Sequence, residues 1–256
     1  MKIWQTKQTF VSSMPQSYSK SLITCMPKTV VAIGCSHTAG SEIDGEFTSD
    51  YNRKNSYAGQ IAKHLDCDII NLGFNGGSNQ YICRAATQFV TENHYKINEY
   101  FFVIGWTSPS RMELRYDGRS TQEFDPTPPG MDPKYVPFSL GQKDNIKLPL
   151  GKVTPYAVDI FETSMMFDHW AMYIMSLQNL FLHYKVPYIM CNTCVPLEYT
   201  KNSKATSAHI DRRYYYLGDN FYDYSTSKAH TSSQHNHFGE QAHIDWANKL
   251  TKELKL

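Results

Sequence analysis

The sequence predicts an α/β/α fold, a parallel sheet covered by helices on both faces, and three observations carry that prediction. Short apolar, β-branched or aromatic runs alternate with segments of helical periodicity. Three of these runs end in a glycine that opens a loop, at Gly34-Cys35-Ser36, Gly73-Phe74-Asn75-Gly76 and Gly105-Trp106-Thr107-Ser108. The chain, 256 residues long, can bury a sizeable core. Right-handed crossovers between parallel strands would gather the three loops at one edge of the sheet, where open α/β sheets collect ligands.

Residues 1–27 are Ser- and Thr-rich and weakly periodic, and read as an N-terminal arm or cap. Thr29-Val30-Val31-Ala32-Ile33 is uncharged and almost wholly β-branched, a buried strand breaking at Gly34. Residues 41–56 are polar and loop-like, after which Tyr57, Ile61, Ala62 and Leu65 fall at helical intervals. Asp68-Ile69-Ile70-Asn71-Leu72 is a second strand, and Ser78 is placed to cap a helix through about Glu92. Tyr100–Ile104 is the third strand. Residues 109–158 hold eight prolines and the arginines Arg111, Arg115 and Arg119, too long a stretch for an ordinary connection. An inter-domain linker is the alternative to an insertion there. Beyond it a helix is expected from about Asp159 to Tyr184 and a fourth strand over Val186–Cys191, so the pattern resumes and a single domain over 1–256 is preferred. Asn192 to Gln234 is polar and Tyr-rich, and Ala242, Trp246, Ala247, Leu250 and Leu254 mark a closing helix.

Lys and Arg number 25 against 24 Asp and Glu, a formal charge of +1, which supports neither a nucleic-acid nor a membrane-surface partner. No apolar stretch approaches the roughly 20 residues of a membrane span. The N-terminus lacks a continuous apolar signal region, so a cytoplasmic setting is expected. Six cysteines are too few for a disulfide framework and read as reduced thiols. The pair Cys191-Asn192-Thr193-Cys194 has the spacing of a redox or zinc knuckle, but with no second pair nearby.

A Ser hydroxyl becomes a nucleophile when a base takes its proton and a third group holds the base. Ser36, at the end of the first strand, is the nucleophile candidate. The alternative is a turn serine that caps a helix. For the base, the informative histidines lie in His235-Asn236-His237 and at His243, just ahead of and within the last helix. A metal reading competes, since His235, His237, His243 and Asp245 offer imidazoles and a carboxylate, but their spacing matches no one-face helical ligand set.

The segment Val31-Ala32-Ile33-Gly34-Cys35-Ser36-His37-Thr38-Ala39-Gly40 resembles the first block of the SGNH (GDSL-type) hydrolases. Asn71–Gly76, Gly105–Ser108 and Gln234–Phe238 with Ala242-His243 are similar to their second, third and fifth blocks, in the same order. The phrases around Gly105–Arg111 and His237–Ala247 are most similar to members encoded by tailed bacteriophages, which would place the protein in a host cytoplasm or a phage particle. The resemblance implies a flavodoxin-like sheet, a serine esterase acting on a carboxylic ester (an O-acyl or O-acetyl group, on a carbohydrate or small molecule), and no cofactor. It implies Ser36 as nucleophile, His237 as base, and Gly76 and Thr107 as oxyanion donors. Cys35 stands where the family has Asp, Thr107 where it has Asn, and Gln234 where it has the carboxylate that holds the histidine. Gln234 is therefore the first candidate orienter of His237, with a carboxylate of the Asp219–Asp223 stretch or a backbone carbonyl as the second. Asn75, Trp106, Arg111 and Arg115 are candidate substrate contacts, and the insertion is expected to cover the active edge. The alternative function is an SGNH-fold binding or structural protein that does not turn over.

Overall fold

The computed structural model describes residues 27–47, 49–115, 135–139, 163–196 and 208–256. In order these form β1 (Thr29–Gly34), α1 (Ser36–Ala39), α2 (Asp50–Asn55), α3 (Tyr57–His64), β2 (Asp68–Asn71), α4 (Asn79–Asn93) and, after a 3₁₀ segment, β3 (Tyr100–Trp106). They continue with β4 (Arg111–Arg115), β5 (Tyr135–Ser139), α5 (Thr163–Tyr184), β6 (Tyr188–Asn192), α6 (Phe221–Ser227) and α7 (Glu240–Leu254).

Four strands make the central sheet in the order β2-β1-β3-β6, every pair parallel. Strand alternation divides the core in two. Val31, Ile33, Phe102, Ile104, Trp106, Tyr188 and Met190 pack on one face against α4 and α5. Val30, Ala32, Phe101, Val103, Ile189 and Cys191 pack on the other against α3 and α7. The fold is thus three-layer α/β/α around a parallel sheet.

Ser78 caps α4 by accepting from Tyr81 N–H, as its position in the sequence predicts. Residues 41–56 carry a helix the sequence reading missed, α2, capped by Ser49; it is short and polar, so it has no apolar period to announce it. β3 runs two residues further than expected, because Gly105 and Trp106 pair with Cys191 and Asn192 of β6. Trp106 is therefore a core residue, fully buried with Nε1–H on Met190 Sδ, and not a substrate contact. Of the 109–158 stretch, β4 and β5 form an antiparallel hairpin. It is tied to α4 through Arg84 and Glu113 at 2.9 Å and through Glu113 N–H on Gln80 Oε1. Residues 116–134 and 140–162, residues 1–26 of the 1–27 arm and the Arg115 side chain lie outside the described residues. Among the described residues no helix is long and apolar enough to cross a membrane.

Candidate active site

The turn after β1 is shaped by what its neighbours lack. A Cβ on Gly34 would lie 2.0 Å from Thr38 Oγ1 and 2.8 Å from the Gly105 carbonyl. With glycine there, α1 folds back over the strand ends, and Thr38 Oγ1 reaches Tyr57 OH at 2.8 Å. Cys35 is the N-cap, its carbonyl accepting from Thr38 and Ala39 N–H, and Ser36 opens the helix. Ser36 is thus not the capping residue that the alternative reading required. Asn71 ties the second loop to this turn, donating to the Thr38 carbonyl at 2.8 Å and accepting from Gly73 N–H at 2.8 Å. Phe74 N–H donates to the Gly34 carbonyl at 3.0 Å, which lays the Phe74–Gly77 turn beside the Ser36 turn. Gly76 holds φ of 74° there, a left-handed conformation that suits glycine. Asn75 accepts from Ser41 Oγ at the same edge.

His237 comes from the loop before α7. Ser233 builds that loop: its N–H donates to the His237 carbonyl at 2.7 Å, and its Oγ accepts from the N–H groups of His235 and His237. The ring of His237 stands edge-on to that of His37, the residue after Ser36, with centroids 5.5 Å apart. Its Nδ1 lies 2.7 Å from Glu42 Oε2. An ionised carboxylate only accepts, so Nδ1 carries the proton and Nε2 is left as the basic nitrogen.

Glu42 is the residue that sequence reasoning missed. Gln234 is exposed on the surface, Asp223 bonds Asn220, and Asp219 pairs with Lys249. The carboxylate on His237 comes instead from the loop directly after the Ser36 turn. Glu42 also bonds His235 Nδ1 at 2.7 Å and Ser233 Oγ at 2.5 Å. Burial opposes its ionisation, but the hydrogen bonds from Ser233, His235 and His237 outweigh it and hold the carboxyl at about 2. Its φ of 65° is uncommon for a residue other than glycine. Such strain persists where the surroundings over-determine it, and here three bonds to the carboxylate do so.

Burial lowers the pKa of His237, with the charge of His37 acting the same way and Glu42 opposing both, so the ring is a neutral base at pH 7. His37 is buried with Nδ1 unpartnered among the described residues, and burial lowers its pKa too. Its ring supports that of His237 from the side. His243 is buried in α7 and accepts from Tyr57 N–H at 3.1 Å, while Asp245 bonds His230, so neither joins the His235–His237 pair.

Thr107, the side-chain oxyanion donor that the resemblance implies, has its hydroxyl between two neighbours. It is fully buried, Arg111 Nη1 donates to its Oγ1 at 3.0 Å, and Cys194 Sγ lies 3.5 Å from the same oxygen. Arg111 likewise turns inward to Thr107. A cavity of about 670 Å³ lies at the opposite end of the sheet, lined by Pro187, Tyr188 and Arg213 among others, away from this chemistry.

The model of a family of unknown function, DUF6071, matches residues 41–243, a stretch that includes Glu42 and His237 and begins just after Ser36. No curated protein matches. Among solved structures the chain is similar to the psychrotrophic esterase EstA from Pseudoalteromonas sp., at 9% identity and TM-score 0.46 over 89% of this chain and 96% of that one. It is also similar to a carbohydrate acetylesterase family member from Sinorhizobium meliloti, at 11% identity and TM-score 0.41 over 90% and 100%. An acetyl xylan esterase (Est2A) from Butyrivibrio proteoclasticus follows at 11% and 0.47, over 89% and 63%. Likenesses that remote say nothing about chemistry.

Proposed function

The chain belongs to DUF6071, a family of unknown function, and from its own residues we propose that it is a serine esterase in which Ser36, His237 and Glu42 form the catalytic triad. The observation that carries the reading is the 2.7 Å bond from His237 Nδ1 to Glu42, a carboxylate supplied by the same turn that presents Ser36. The order of the sequence blocks that resemble the SGNH hydrolases supports it independently.

In the first half-reaction Ser36 Oγ attacks the ester carbonyl carbon while His237 Nε2 takes its proton. Glu42 steadies the imidazolium that results, the part the carboxylate plays in serine-protease triads. The backbone N–H groups of Ser36 and Gly76 are the donors proposed for the tetrahedral oxyanion, each typically worth ~10²–10³ in rate. Collapse returns the proton from Nε2 to the departing alcohol and leaves an acyl-Ser36. Water, deprotonated by His237, then releases the carboxylic acid. The substrate class is a carboxylic ester of a small molecule or carbohydrate, and the proposed steps use side chains and backbone only.

The alternative of a non-catalytic binding protein rests on three departures, at Cys35, Thr107 and Gln234, and Glu42 answers the last of them by giving His237 a carboxylate. A fluorophosphonate probe tests the reading without a known substrate. It should label Ser36, fail on Ser36→Ala, and slow by ~10²–10⁴ on His237→Ala, the usual range for a general base. Equal labelling of the wild type and His237→Ala, or an adduct on another serine, would sink the assignment.

A further inference from the structure

The Cys191–Cys194 spacing suggested a redox or zinc knuckle, but the structure gives Cys194 a different neighbour. Cys191 points into the core between the sheet and α7, at 3.8 Å from Tyr57 OH. Cys194 lies on the other side of Thr193, beneath the nucleophile turn. Thr193 Oγ1 touches Cys35 Sγ at 3.3 Å and Cys194 Sγ at 3.6 Å, so one hydroxyl brackets both sulfurs. The two thiols lie just past the ends of β1 and β6, which are not neighbours in the sheet. Gly105 of β3 lies between them, and a Cβ there would meet Thr193 Cγ2 at 3.0 Å, so a glycine permits the approach.

We propose that Cys194 and Cys35 are a peroxide-sensitive dithiol pair whose disulfide switches off the chemistry at Ser36. The consequence for Ser36 rests on the esterase reading; the pair itself does not. The two sulfurs are unequal, as such chemistry requires. A hydrogen bond from Cys35 pulls the Cys194 thiol well below its ordinary value against the effect of burial, and the Arg111 guanidinium adds to it. Cys35 is pushed up to about 12 by the bond to Cys194 and by burial. Cys194 is only partly buried whereas Cys35 is wholly so. Cys194 is thus the attacking thiolate and Cys35 the resolving thiol.

The step balances with hydrogen peroxide as oxidant. The Cys194 thiolate attacks one oxygen, the O–O bond breaks, and hydroxide leaves as Cys194 becomes a sulfenic acid. The Cys35 sulfur then attacks that sulfur, the S–O bond breaks, and water leaves as the S–S bond forms. Two electrons pass from the two thiols to the peroxide, and a dithiol such as dithiothreitol reverses the change. Because Cys35 is the N-cap of α1, its cross-link pulls on the backbone that presents Ser36. A shift of ~1 Å at a reacting group costs on the order of 10²-fold in rate.

The experiment treats the full-length protein with a small excess of hydrogen peroxide and maps disulfides by mass spectrometry of non-reduced peptides. The Cys35–Cys194 cross-linked peptide is expected, with fluorophosphonate labelling of Ser36 slowed by ~10²-fold and restored by dithiothreitol. Cys194→Ser should lose the cross-link and the peroxide response, and Cys67→Ser should keep both. A Cys191–Cys194 cross-link, or Cys194 oxidised without any disulfide, overturns the pair. A mapped Cys35–Cys194 bond that leaves labelling unchanged overturns the switch. Should the bond form in a protein whose reduced state is never labelled, the pair stands and the esterase reading falls.

Discussion

At Glu42 one carboxylate accepts from two imidazoles, and the two are not equivalent. The His235 side chain is 44% exposed, whereas that of His237 is 11% exposed and faces His37 beside Ser36. His237 is the better-placed base for that reason, and Glu42→Gln should expose what the carboxylate does. The amide preserves the shape but removes the charge on which an imidazolium depends, so hydrolysis should fall by up to ~10⁴, as when an amide replaces the carboxylate of a serine-protease triad. Gln234→Ala and Gln234→Asp should both leave the rate within about twofold, since that side chain does not touch His237 and an exposed change there removes no transition-state contact. A large loss in Gln234→Ala would return the orienting role to it. The pH profile follows from the same geometry. His237 must be neutral to act, and its pKa lies below 6.5. The rate constant kcat/KM should therefore rise with pH, with its half-point below that of a free imidazole. Glu42 opposes that depression, so in Glu42→Gln the half-point should move to still lower pH while the plateau drops.

The helix α1 has only four residues and cannot hold itself; short helices are marginal without tertiary support. Its place is set by contacts from four elements: Thr38 on Tyr57 of α3, Asn71 of β2 on the Thr38 carbonyl, and the glycine floor at Gly34 of β1 and Gly105 of β3. Gly34→Ala tests that floor. The new methyl would meet Thr38 and the backbone of β3, so either α1 lifts or the strands part. Overpacking of this kind costs ~1–3 kcal/mol, which a denaturation midpoint would read. Labelling of Ser36 should fall by more than the loss of folded protein accounts for. Unchanged labelling with unchanged stability would mean that α1 is not seated as described.

Over the whole molecule, buried neutral histidines make stability depend on pH. His243 is locked between α7 and the start of α3, and burial takes its pKa from 6.5 to about 3. Between those values the unfolded chain binds a proton that the folded chain does not, so unfolding gains as pH falls. The stabilisation is whole above 6.5 and is lost progressively down to about 3. His37 and His237 act in the same direction, and Glu42 adds a second window between 4.5 and about 2. The melting temperature should start to drop below pH 6.5, ahead of any carboxylate titration. His243→Gln, which can still accept from Tyr57 N–H, should flatten that first limb. A melting temperature constant from pH 7 to 5 would contradict the burial of these rings.

What the sequence determined by itself is what repeats locally. β-branched runs, helical intervals and strand-ending glycines established the parallel sheet, the Ser78 cap, the closing helix and the position of Ser36, because each is written within a few residues. The partner of His237 was not legible that way. A triad needs a carboxylate in space: along the chain Gln234 and the Asp219–Asp223 stretch are the neighbours of the histidine, while the fold brings Glu42 from 195 residues away. Cys194 is the same case, its two-residue spacing from Cys191 pointing to one partner and the sheet bringing another. Register also decided Trp106, since pairing with β6 carried it into the core. Contacts between distant segments depend on how strands order and cross over, and that order is set by burying both faces of the sheet at once. It leaves no mark at any single position, so only the tertiary structure could choose between Gln234 and Glu42.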